Sequence, residues 1–398
     1  MDITIHPGIL SGAIRAIPSK SQAHRLLICA AFADGTTKLI CPETNQDIEA
    51  TANCLRALGA RIVRSETGYT VEPIRSMPEH AELNCAESGS TLRFMLPVVG
   101  ALGVNATFRM AGRLPQRPLS PLWEEMERMG CKLDRPTPDT ISCRGKLKPG
   151  TYTISGSVSS QFITGLLFAL SLLDGTSQIT VTGKLESKPY VDMTQLALRQ
   201  FGVETNEFSV SGSLPFHTPG LIAVEGDWSN GAFFLAAKAI GCDLDVIGLK
   251  TDSAQGDRAA AQILDSMTEF VTVDAADIPD LVPILAVAAG TKKGAKFINI
   301  ERLRLKESDR VESVLNMLKA FGANAEADAN SLTVYPAPYR GCTVDAVGDH
   351  RIAMAAAIGA TVASGPVTIL GAQCVSKSYP SFWEEYKRLG GNYEQHIR

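Results

Sequence analysis

The 398-residue sequence lacks several features that would place it in a specialised class of protein. Its apolar runs, such as residues 281–290, are far shorter than the roughly 20 residues that a membrane-spanning helix needs. It has no excess of basic residues, because 38 lysines and arginines stand against 42 aspartates and glutamates, a net charge of -4. We therefore expect no binding to nucleic acid or membrane, and any anion site must depend on the local placement of charges.

Cysteine occurs nine times, an odd number, and never as a Cys-x-x-Cys pair. This pattern is typical of reduced, mostly buried thiols in the cytoplasm. The first residues, Met1–Ile5, alternate like a strand and lack the basic start and apolar core of a signal peptide. The six histidines are scattered, and the chain contains no Gly-x-Gly-x-x-Gly or Walker sequence. We therefore expect a cytoplasmic protein with no metal site and no dinucleotide or ATP.

The chain does contain a repeat. Six segments each open with polar or charged residues, continue with small and apolar residues, and end at glycine. Their openings recur at steps of 69, 70, 70, 50 and 70 residues. The openings are marked by Ser21, Ser90, Ser160, Asn230, Asp280 and His350. This period is longer than that of solenoid repeats, and it indicates a supersecondary unit used six times.

Each repeat also carries a second, more amphipathic helix, and short alternating runs between the helices read as strands. The unit is therefore strand-helix-strand-helix-strand. Five of the second helices end at a glycine, for which we predict the positive φ of a helix C-cap. These glycines are Gly59, Gly130, Gly202, Gly322 and Gly390. The fourth repeat lacks this ending, which accounts for its step of 50. We predict an α/β fold of the α+β type, with two lobes of three repeats around buried helices.

The helix openings hold the residues that could carry chemistry. Helix N-termini present free N–H groups and partial positive charge, so several of them at one surface would bind anions. The basic candidates at these openings and nearby loops are Lys20, Arg25, Arg93, Arg113, Lys306, Arg310, Arg351 and Lys377. The acidic candidates are Asp280 and Glu307. A cleft between the lobes with this lining would hold two anionic substrates and leave carboxylates and lysine for proton transfer.

Plain structural interpretations compete with these roles. Asp280 is well suited to be the N-cap of an apolar helix, and Ser21 could cap the first one. The charged stretch Leu305–Arg310 should open a helix on which Lys306, Glu307 and Arg310 are neighbours. In that helix we expect Ser308 and Asp309 to serve only as caps.

The motifs together resemble those of the 5-enolpyruvylshikimate-3-phosphate synthase family over residues 18–380. The matching motifs are Lys20-Ser21 with Arg25, Ser88-Gly89-Ser90 with Arg93, Ser159-Ser160-Gln161, Ser187-Lys188-Pro189-Tyr190, Ile278-Pro279-Asp280, Leu305–Arg310, Asp349-His350-Arg351 and Lys377. The resemblance implies the two-domain enolpyruvyl-transferase fold, with pseudo-threefold lobes at 18–215 and at 1–17 plus 216–398. The first strand would pair into the C-terminal lobe, and the chain would cross near Ala16–Ser19 and Leu214–Thr218. The active site would lie in the cleft between the lobes.

The resemblance also implies an activity. The enolpyruvyl group of phosphoenolpyruvate would move to the 5-hydroxyl of shikimate 3-phosphate with release of phosphate, on the route to chorismate and the aromatic amino acids. No metal or cofactor is implied. We expect a monomer whose partners are these two small molecules, and glyphosate, an inhibitor of the family, should act on it.

Residue roles follow from the same resemblance. Shikimate 3-phosphate would contact Lys20, Ser21, Arg25, Ser159, Ser160, Gln161, Ser187, Asp280 and Lys306. Phosphoenolpyruvate would contact Lys20, Gly89, Arg93, Arg113, Gln161, Arg310, Arg351 and Lys377. The candidates for moving protons between the methylene carbon of phosphoenolpyruvate and the 5-hydroxyl are Asp280, Glu307, Lys20 and Lys377, and the sequence does not say which proton each one moves.

Two alternatives stay open at this point. One is the sister enzyme, UDP-N-acetylglucosamine enolpyruvyl transferase, which typically has a cysteine in the loop that here contains Arg113 and an Asn after the first lysine. This chain has no cysteine between Cys85 and Cys131, and Ser21 follows Lys20. The other is a non-catalytic phosphometabolite-binding protein on the same fold. Departures from the family pattern at Glu87, Phe94 and Arg302 should tune affinity rather than abolish function.

Overall fold

A computed structural model describes residues 1–212 and 215–396 of the chain. It divides into two compact lobes. The N-terminal lobe is Pro18–Val224, and the C-terminal lobe combines Met1–Ile17 with Glu225–Arg398. The boundary that the sequence suggested at residues 215 and 216 therefore comes earlier in the chain than the observed one. Leu214, where the second crossing was expected to begin, lies outside the described residues.

The helices alternate between the two kinds that the repeat predicts. The odd-numbered helices below are the small-and-apolar ones, and the even-numbered helices are the amphipathic ones. In chain order they are α1 (Lys20–Ala31), α2 (Gln46–Ala57), α3 (Gly89–Leu102), α4 (Leu122–Arg128), α5 (Ser160–Ser171), α6 (Lys188–Gln200), α7 (Trp228–Ala239), α8 (Ala259–Ser266), α9 (Val282–Thr291), α10 (Arg310–Phe321), α11 (His350–Ala360) and α12 (Phe382–Arg388). Short 3₁₀ helices span Leu114–Gln116, Gly256–Arg258, Glu301–Leu305 and Ala372–Lys377.

The odd-numbered helices form the core of each lobe. In α9 every residue from Val282 to Gly290 is buried, and in α11 every residue is buried. Burying such helices removes a large apolar surface from water, which is the main favourable contribution to folding. Because the helix bodies are buried on all sides, their polar first turns are the parts at which side chains of different repeats can meet.

The strands between the helices are short. In chain order they are β1 (Asp2–His6), β2 (Ser11–Arg15), β3 (Thr37–Ile40), β4 (Arg61–Ser65), β5 (Gly68–Glu72), β6 (His80–Asn84), β7 (Asn105–Arg109), β8 (Cys131–Asp134), β9 (Thr140–Gly145), β10 (Thr151–Ser155), β11 (Thr176–Thr182), β12 (Thr205–Asn206), β13 (Ser209–Ser211), β14 (Leu221–Ala223), β15 (Asp243–Ile247), β16 (Val271–Asp274), β17 (Ala295–Ile298), β18 (Ala325–Ala327), β19 (Ser331–Val334), β20 (Cys342–Asp345), β21 (Val367–Leu370) and β22 (Asn392–His396).

Five of the sheets repeat one topology, in which a parallel pair continues into an antiparallel pair. Their strand orders are β14-β3-β5-β4, β6-β7-β9-β8, β10-β11-β13-β12, β16-β17-β19-β18 and β20-β21-β1-β22. The first repeat takes its leading strand, β14, from the end of its lobe. The sixth takes β1 from the start of the chain, and β1 pairs antiparallel with both β21 and β22. Each lobe is thus closed by a strand distant in sequence.

The fourth repeat is incomplete in the structure as well. Its sheet contains only the parallel pair β15-β2, and after α8 the chain runs directly to β16. The five other repeats keep the glycine after the amphipathic helix. All five of these glycines have positive φ, between +79° and +117°, which confirms the prediction that each ends a helix in a conformation open to glycine.

The cysteines match a further expectation from the sequence. All nine cysteines are free thiols, and eight of them are buried. Among the described residues, no helix combines the length and the apolar character needed to cross a membrane.

Candidate active site

The C-terminal lobe contains a buried arginine held by three carboxylates. Arg310 is the first residue of α10, and 1% of its side chain is exposed. Its Nη1 donates to Oδ1 of Asp280 at 2.6 Å, its Nη2 to Oε2 of Glu307 at 2.7 Å, and its Nε to Oδ2 of Asp349 at 2.8 Å. Burial disfavours the charge, but the three carboxylates together raise the pKa of Arg310 well above its ordinary value. The guanidinium is therefore a fixed positive charge around which the acids are arranged.

Asp280 lies among further cations. Its Oδ2 accepts a hydrogen bond from Nη2 of Arg351 at 3.0 Å, and Nζ of Lys306 lies 3.5 Å from its Oδ1. Burial lowers the pKa of Lys306 to about 8. The negative charge of Asp280 opposes this shift, and the positive charge of Arg310 adds to it. Lys306 can thus exchange a proton near neutral pH, a property that the sequence did not reveal.

The path of the chain explains how Asp280 comes to be used in this way. Helix α9 begins after Leu281, and no side chain caps it. The capping role expected for Asp280 is therefore wrong, and its carboxylate contacts the arginines instead. The other odd-numbered helices are capped by side chains that accept from a backbone N–H; these are Ser19, Ser88, Ser159, Asp227 and Asp349. Ser19 rather than Ser21 thus caps α1.

The stretch Leu305–Arg310 is not the continuous helix start that we expected. A 3₁₀ helix ends at Leu305, Lys306 is extended, and α10 begins only at Arg310. Asp309 is the N-cap, as predicted, and accepts from the backbone N–H of Glu312. Because an N-cap has extended backbone, the preceding loop can reach towards Asp280. The capping role expected for Ser308 is wrong, because Asp309 is the N-cap, and Ser308 is instead buried and donates to Oδ2 of Asp349 at 3.1 Å.

Lys377 and Arg351 are both placed at the opening of α11. Asp349 caps this helix by accepting from the backbone N–H of Arg351 at 3.0 Å. Lys377 ends the 3₁₀ helix Ala372–Lys377, and its Nζ donates to the carbonyl oxygen of Gly348 at 2.9 Å. The C-terminal lobe therefore brings together all of its predicted site residues, at the openings of α9, α10 and α11.

The N-terminal lobe contains a second polar cluster, centred on Arg93 of α3. Its Nη1 donates to Oε1 of Gln161 at 2.9 Å, and its Nη2 to the carbonyl oxygen of Pro118 at 3.0 Å. Nε2 of Gln161 in turn donates to Oγ of Ser90 at 3.0 Å. These bonds join the openings of α3 and α5, as expected if the helix starts converge within a lobe.

Arg117, rather than Arg113, lies in this cluster. A Cβ on Gly89 would be 2.7 Å from Nη1 of Arg93 and equally close to Nη1 of Arg117, so a larger residue would displace these guanidinium groups from where they lie. Arg113 is exposed, ahead of the short helix Leu114–Gln116. The sequence showed two arginines in one loop, and nothing in their spacing indicated which would turn towards Gly89.

Lys20 and Arg25 are anchored within the same lobe. Nζ of Lys20 donates to Oδ2 of Asp47 at 2.8 Å, a partner that the sequence reasoning missed. Arg25 is 2% exposed and donates to Oγ1 of Thr194 at 2.9 Å and to the carbonyl oxygen of Tyr190 at 2.8 Å. Burial lowers its pKa to about 10. Arg25 therefore also ties α1 to α6, a structural role beyond the one predicted.

The serines proposed from the resemblance lie at helix openings. Ser159 caps α5, Ser160 is the first residue of that helix, and both are buried. Ser187 precedes α6 with a φ of +56°, a left-handed conformation that a non-glycine residue rarely adopts. Ser21 is half-buried in the first turn of α1. Their contacts with a substrate remain predictions.

A model of the family described as EPSP synthase (3-phosphoshikimate 1-carboxyvinyltransferase) matches residues 5–386. The chain belongs to the EPSP synthase family. Among its curated relatives in that family, the 3-phosphoshikimate 1-carboxyvinyltransferase of Clostridium kluyveri is 38% identical, over 99% of this chain and 98% of the relative. The enzyme of that name from Clostridioides difficile is 36% identical with the same coverage.

Solved structures show the same fold. The EPSP synthase of Acinetobacter baumannii has a TM-score of 0.81 at 23% identity and covers 99% of this chain and 100% of its own. The enolpyruvyl transferase NikO from Streptomyces tendae has a TM-score of 0.74 at 18% identity, with 100% of this chain and 99% of its own covered. The predicted enolpyruvyl-transferase fold is therefore confirmed.

The Arg310 cluster predicts a large effect of Asp349→Asn on stability. The substitution removes one of the charges that compensate a buried guanidinium, and breaking such a pair costs about 3 kcal/mol of unfolding free energy. Urea denaturation at pH 7 would measure the loss. The control is Asp345→Asn on the exposed edge of β20, which should cost less than about 1 kcal/mol. Equal losses in the two variants would contradict the account.

The same pair predicts a pH dependence. Burial tends to raise the pKa of Asp349, but Arg310 holds it below the ordinary value of 3.8. The contribution of the pair is thus complete above about pH 4 and is lost as the pH falls further. The difference in stability between wild type and Asp349→Asn should shrink below pH 4, and a difference that does not change there would oppose this assignment.

Proposed function

We propose that this chain transfers the enolpyruvyl group of phosphoenolpyruvate to the 5-hydroxyl of shikimate 3-phosphate and releases phosphate. Family membership over nearly the whole chain supports this reaction, and the curated relatives bear the name of the enzyme that performs it. The observation that carries most weight is the arrangement of Asp280, Glu307 and Lys306 around buried Arg310. A protein that only bound phosphometabolites would not need acids and a lysine of lowered pKa placed together at its anion site.

Phosphoenolpyruvate has a phosphate and a carboxylate, and both lobes offer cations for them. In the N-terminal lobe the proposed contacts are Lys20, Gly89, Arg93, Arg117 and Gln161. In the C-terminal lobe they are Arg310, Arg351 and Lys377. A guanidinium has five N–H groups, and the hydrogen bonds of Arg310 to its carboxylates leave one at Nη1. That single group is what Arg310 could offer to a substrate oxygen.

Shikimate 3-phosphate would use a different set. The proposed contacts for its phosphate and ring are Lys20, Ser21, Arg25, Ser159, Ser160, Gln161 and Ser187, with Asp280 and Lys306 at its hydroxyls. Because these residues come from both lobes, we propose an active site in the cleft between them. We further propose a cytoplasmic monomer, consistent with nine free thiols and with a chain that contains both halves of the site.

The reaction is an addition followed by an elimination, and protons move in both steps. The 5-hydroxyl loses a proton as its oxygen attacks the central carbon of phosphoenolpyruvate, and the methylene carbon gains one. The resulting adduct then loses phosphate and a proton from the new methyl group, which restores the double bond. Asp280, Glu307, Lys20 and Lys377 are the proposed proton carriers. The fixed charge of Arg310 holds Asp280 and Glu307 close together, where they can serve consecutive steps.

The activity is tested by following phosphate release from phosphoenolpyruvate with and without shikimate 3-phosphate. Release should depend on shikimate 3-phosphate, and release that is absent or independent of it would refute the proposal.

In the same assay glyphosate should compete with phosphoenolpyruvate, because Gly89 leaves room beside Arg93 and Arg117. Non-competitive inhibition would show that the loop around Glu87 and Phe94 has another shape.

Arg117 and Arg113 form a matched pair of variants in one loop. Arg117→Ala removes a guanidinium beside Gly89 and should raise the KM for phosphoenolpyruvate by about 10- to 100-fold, since a charge-assisted contact is worth about 1.5–3 kcal/mol. Arg113→Ala alters an exposed side chain and should change this KM by less than about twofold. Steady-state kinetics with varied phosphoenolpyruvate measures both. A larger effect of Arg113→Ala than of Arg117→Ala on this KM would place Arg113, rather than Arg117, at the phosphoenolpyruvate site.

Glu307→Gln should separate binding from chemistry. The amide keeps the shape of the side chain but cannot accept a proton, so kcat should fall by about 100-fold or more while shikimate 3-phosphate binds nearly as before. Binding calorimetry and turnover measure the two quantities. Glu312→Gln, an exposed change in the first turn of the helix that follows, α10, is the control and should leave both unchanged. A normal kcat for Glu307→Gln would remove Glu307 from proton transfer.

A further inference from the structure

A buried acid outside the proposed site lies in the incomplete fourth repeat. Asp257 belongs to the short helix Gly256–Arg258 and is 2% exposed. Ser229, in the first turn of α7, forms a hydrogen bond through Oγ with Oδ2 of Asp257, while Oδ1 of the same carboxyl has no hydrogen-bond partner. A buried carboxylate with an unpaired oxygen is costly when ionised, so this setting favours the neutral acid.

The surroundings of Asp257 connect it with the proposed site. Helix α7 packs against α9 and α11, whose openings hold Asp280 and Arg351. Burial raises the pKa of Asp257 to about 7, with Asp280 adding to the effect and Arg351 opposing it. Asp227, the N-cap of α7, also raises it. Arg258 is directed elsewhere, since its Nη1 donates to the carbonyl oxygen of Thr251 at 2.8 Å.

We propose that Asp257 is a positioning residue that sets how much positive charge Arg351 offers to Asp280 and to an anionic substrate. When the buried carboxyl is protonated, it carries no charge that draws on Arg351, and the guanidinium serves Asp280 and the substrate. When it is ionised, a second carboxylate competes for the same guanidinium and weakens its hold on both. The inference rests on the assignment of Arg351 to phosphoenolpyruvate proposed above.

Two variants test the proposal, one at the carboxyl of Asp257 and one at the hydroxyl of Ser229. Asp257→Asn keeps the size and a hydrogen-bonding group but cannot ionise, so it fixes the neutral state. Ser229→Ala keeps the acid and removes the hydroxyl that stabilises its ionised form, so the carboxyl should ionise at higher pH. The second variant also keeps the proposal testable if Asp257→Asn folds poorly.

The first measurement is thermal unfolding of wild type and Asp257→Asn from pH 4.5 to 8.5. Because the folded acid keeps its proton between pH 3.8 and about 7 while the unfolded acid has lost it, wild type loses stability as the pH rises through this window. The Tm of Asp257→Asn minus that of wild type should therefore increase up to about pH 7 and then level off. This measurement does not depend on the enzyme's substrates. A difference that is flat with pH would show that Asp257 holds no proton and would overturn the proposal.

The second measurement is the KM for phosphoenolpyruvate over the same range. The ratio of wild type to Asp257→Asn cancels ionisations common to both, including those of the substrate and Lys306. This KM ratio should rise severalfold around pH 7. When Ser229→Ala takes the place of wild type in the ratio, the rise should occur at a higher pH. A thermal effect together with a constant KM ratio would show a protonated acid without influence on Arg351, and would also overturn the proposal. If wild type releases no phosphate but shows the thermal effect, the proposed function is refuted. The positioning role of Asp257 is then refuted with it, whereas the protonation of the buried Asp257 carboxyl still stands.

Discussion

The buried charge of Arg310 is the constraint on which the C-terminal lobe depends. An unpaired guanidinium with 1% of its side chain exposed would be costly, and Asp280, Glu307 and Asp349 together compensate its charge. These three acids come from the openings of different elements. Their attraction to one cation therefore fixes how α9, α10 and α11 begin. Arg351 and Lys306 lie at the same place, since both pair with Asp280.

The N-terminal lobe reaches a similar result by different means. There the joining element is a neutral amide, because Gln161 links Arg93 of α3 to Ser90 and to the opening of α5. The absence of a side chain at Gly89 leaves space for two arginines side by side. One lobe thus concentrates acids around a cation, while the other concentrates cations around small and neutral residues. A reaction between two anionic substrates that also needs proton transfer requires both kinds of environment.

The sequence was sufficient for the architecture because the repeat itself is a physical signal. Helix openings spaced by 70 residues and glycines that need positive φ gave the order of elements, and the missing glycine located the incomplete fourth repeat. The sequence was insufficient wherever a side chain chooses between local and distant partners. Asp280 looked like a helix cap and instead contacts Arg310 and Arg351. The choice between Arg113 and Arg117 depends on how a loop folds over Gly89, which spacing does not encode. Asp257 gave no local signal, since its state is set by burial and by charges on other helices.

We propose that residues of both lobes hold one phosphoenolpyruvate. This proposal is tested most directly by an experimental structure with shikimate 3-phosphate and an unreactive phosphoenolpyruvate analogue bound. The account predicts an analogue that contacts Arg93 and Arg117 of the N-terminal lobe together with Arg351 and Lys377 of the C-terminal lobe. An analogue held by one lobe alone, or bound away from both clusters, would contradict it.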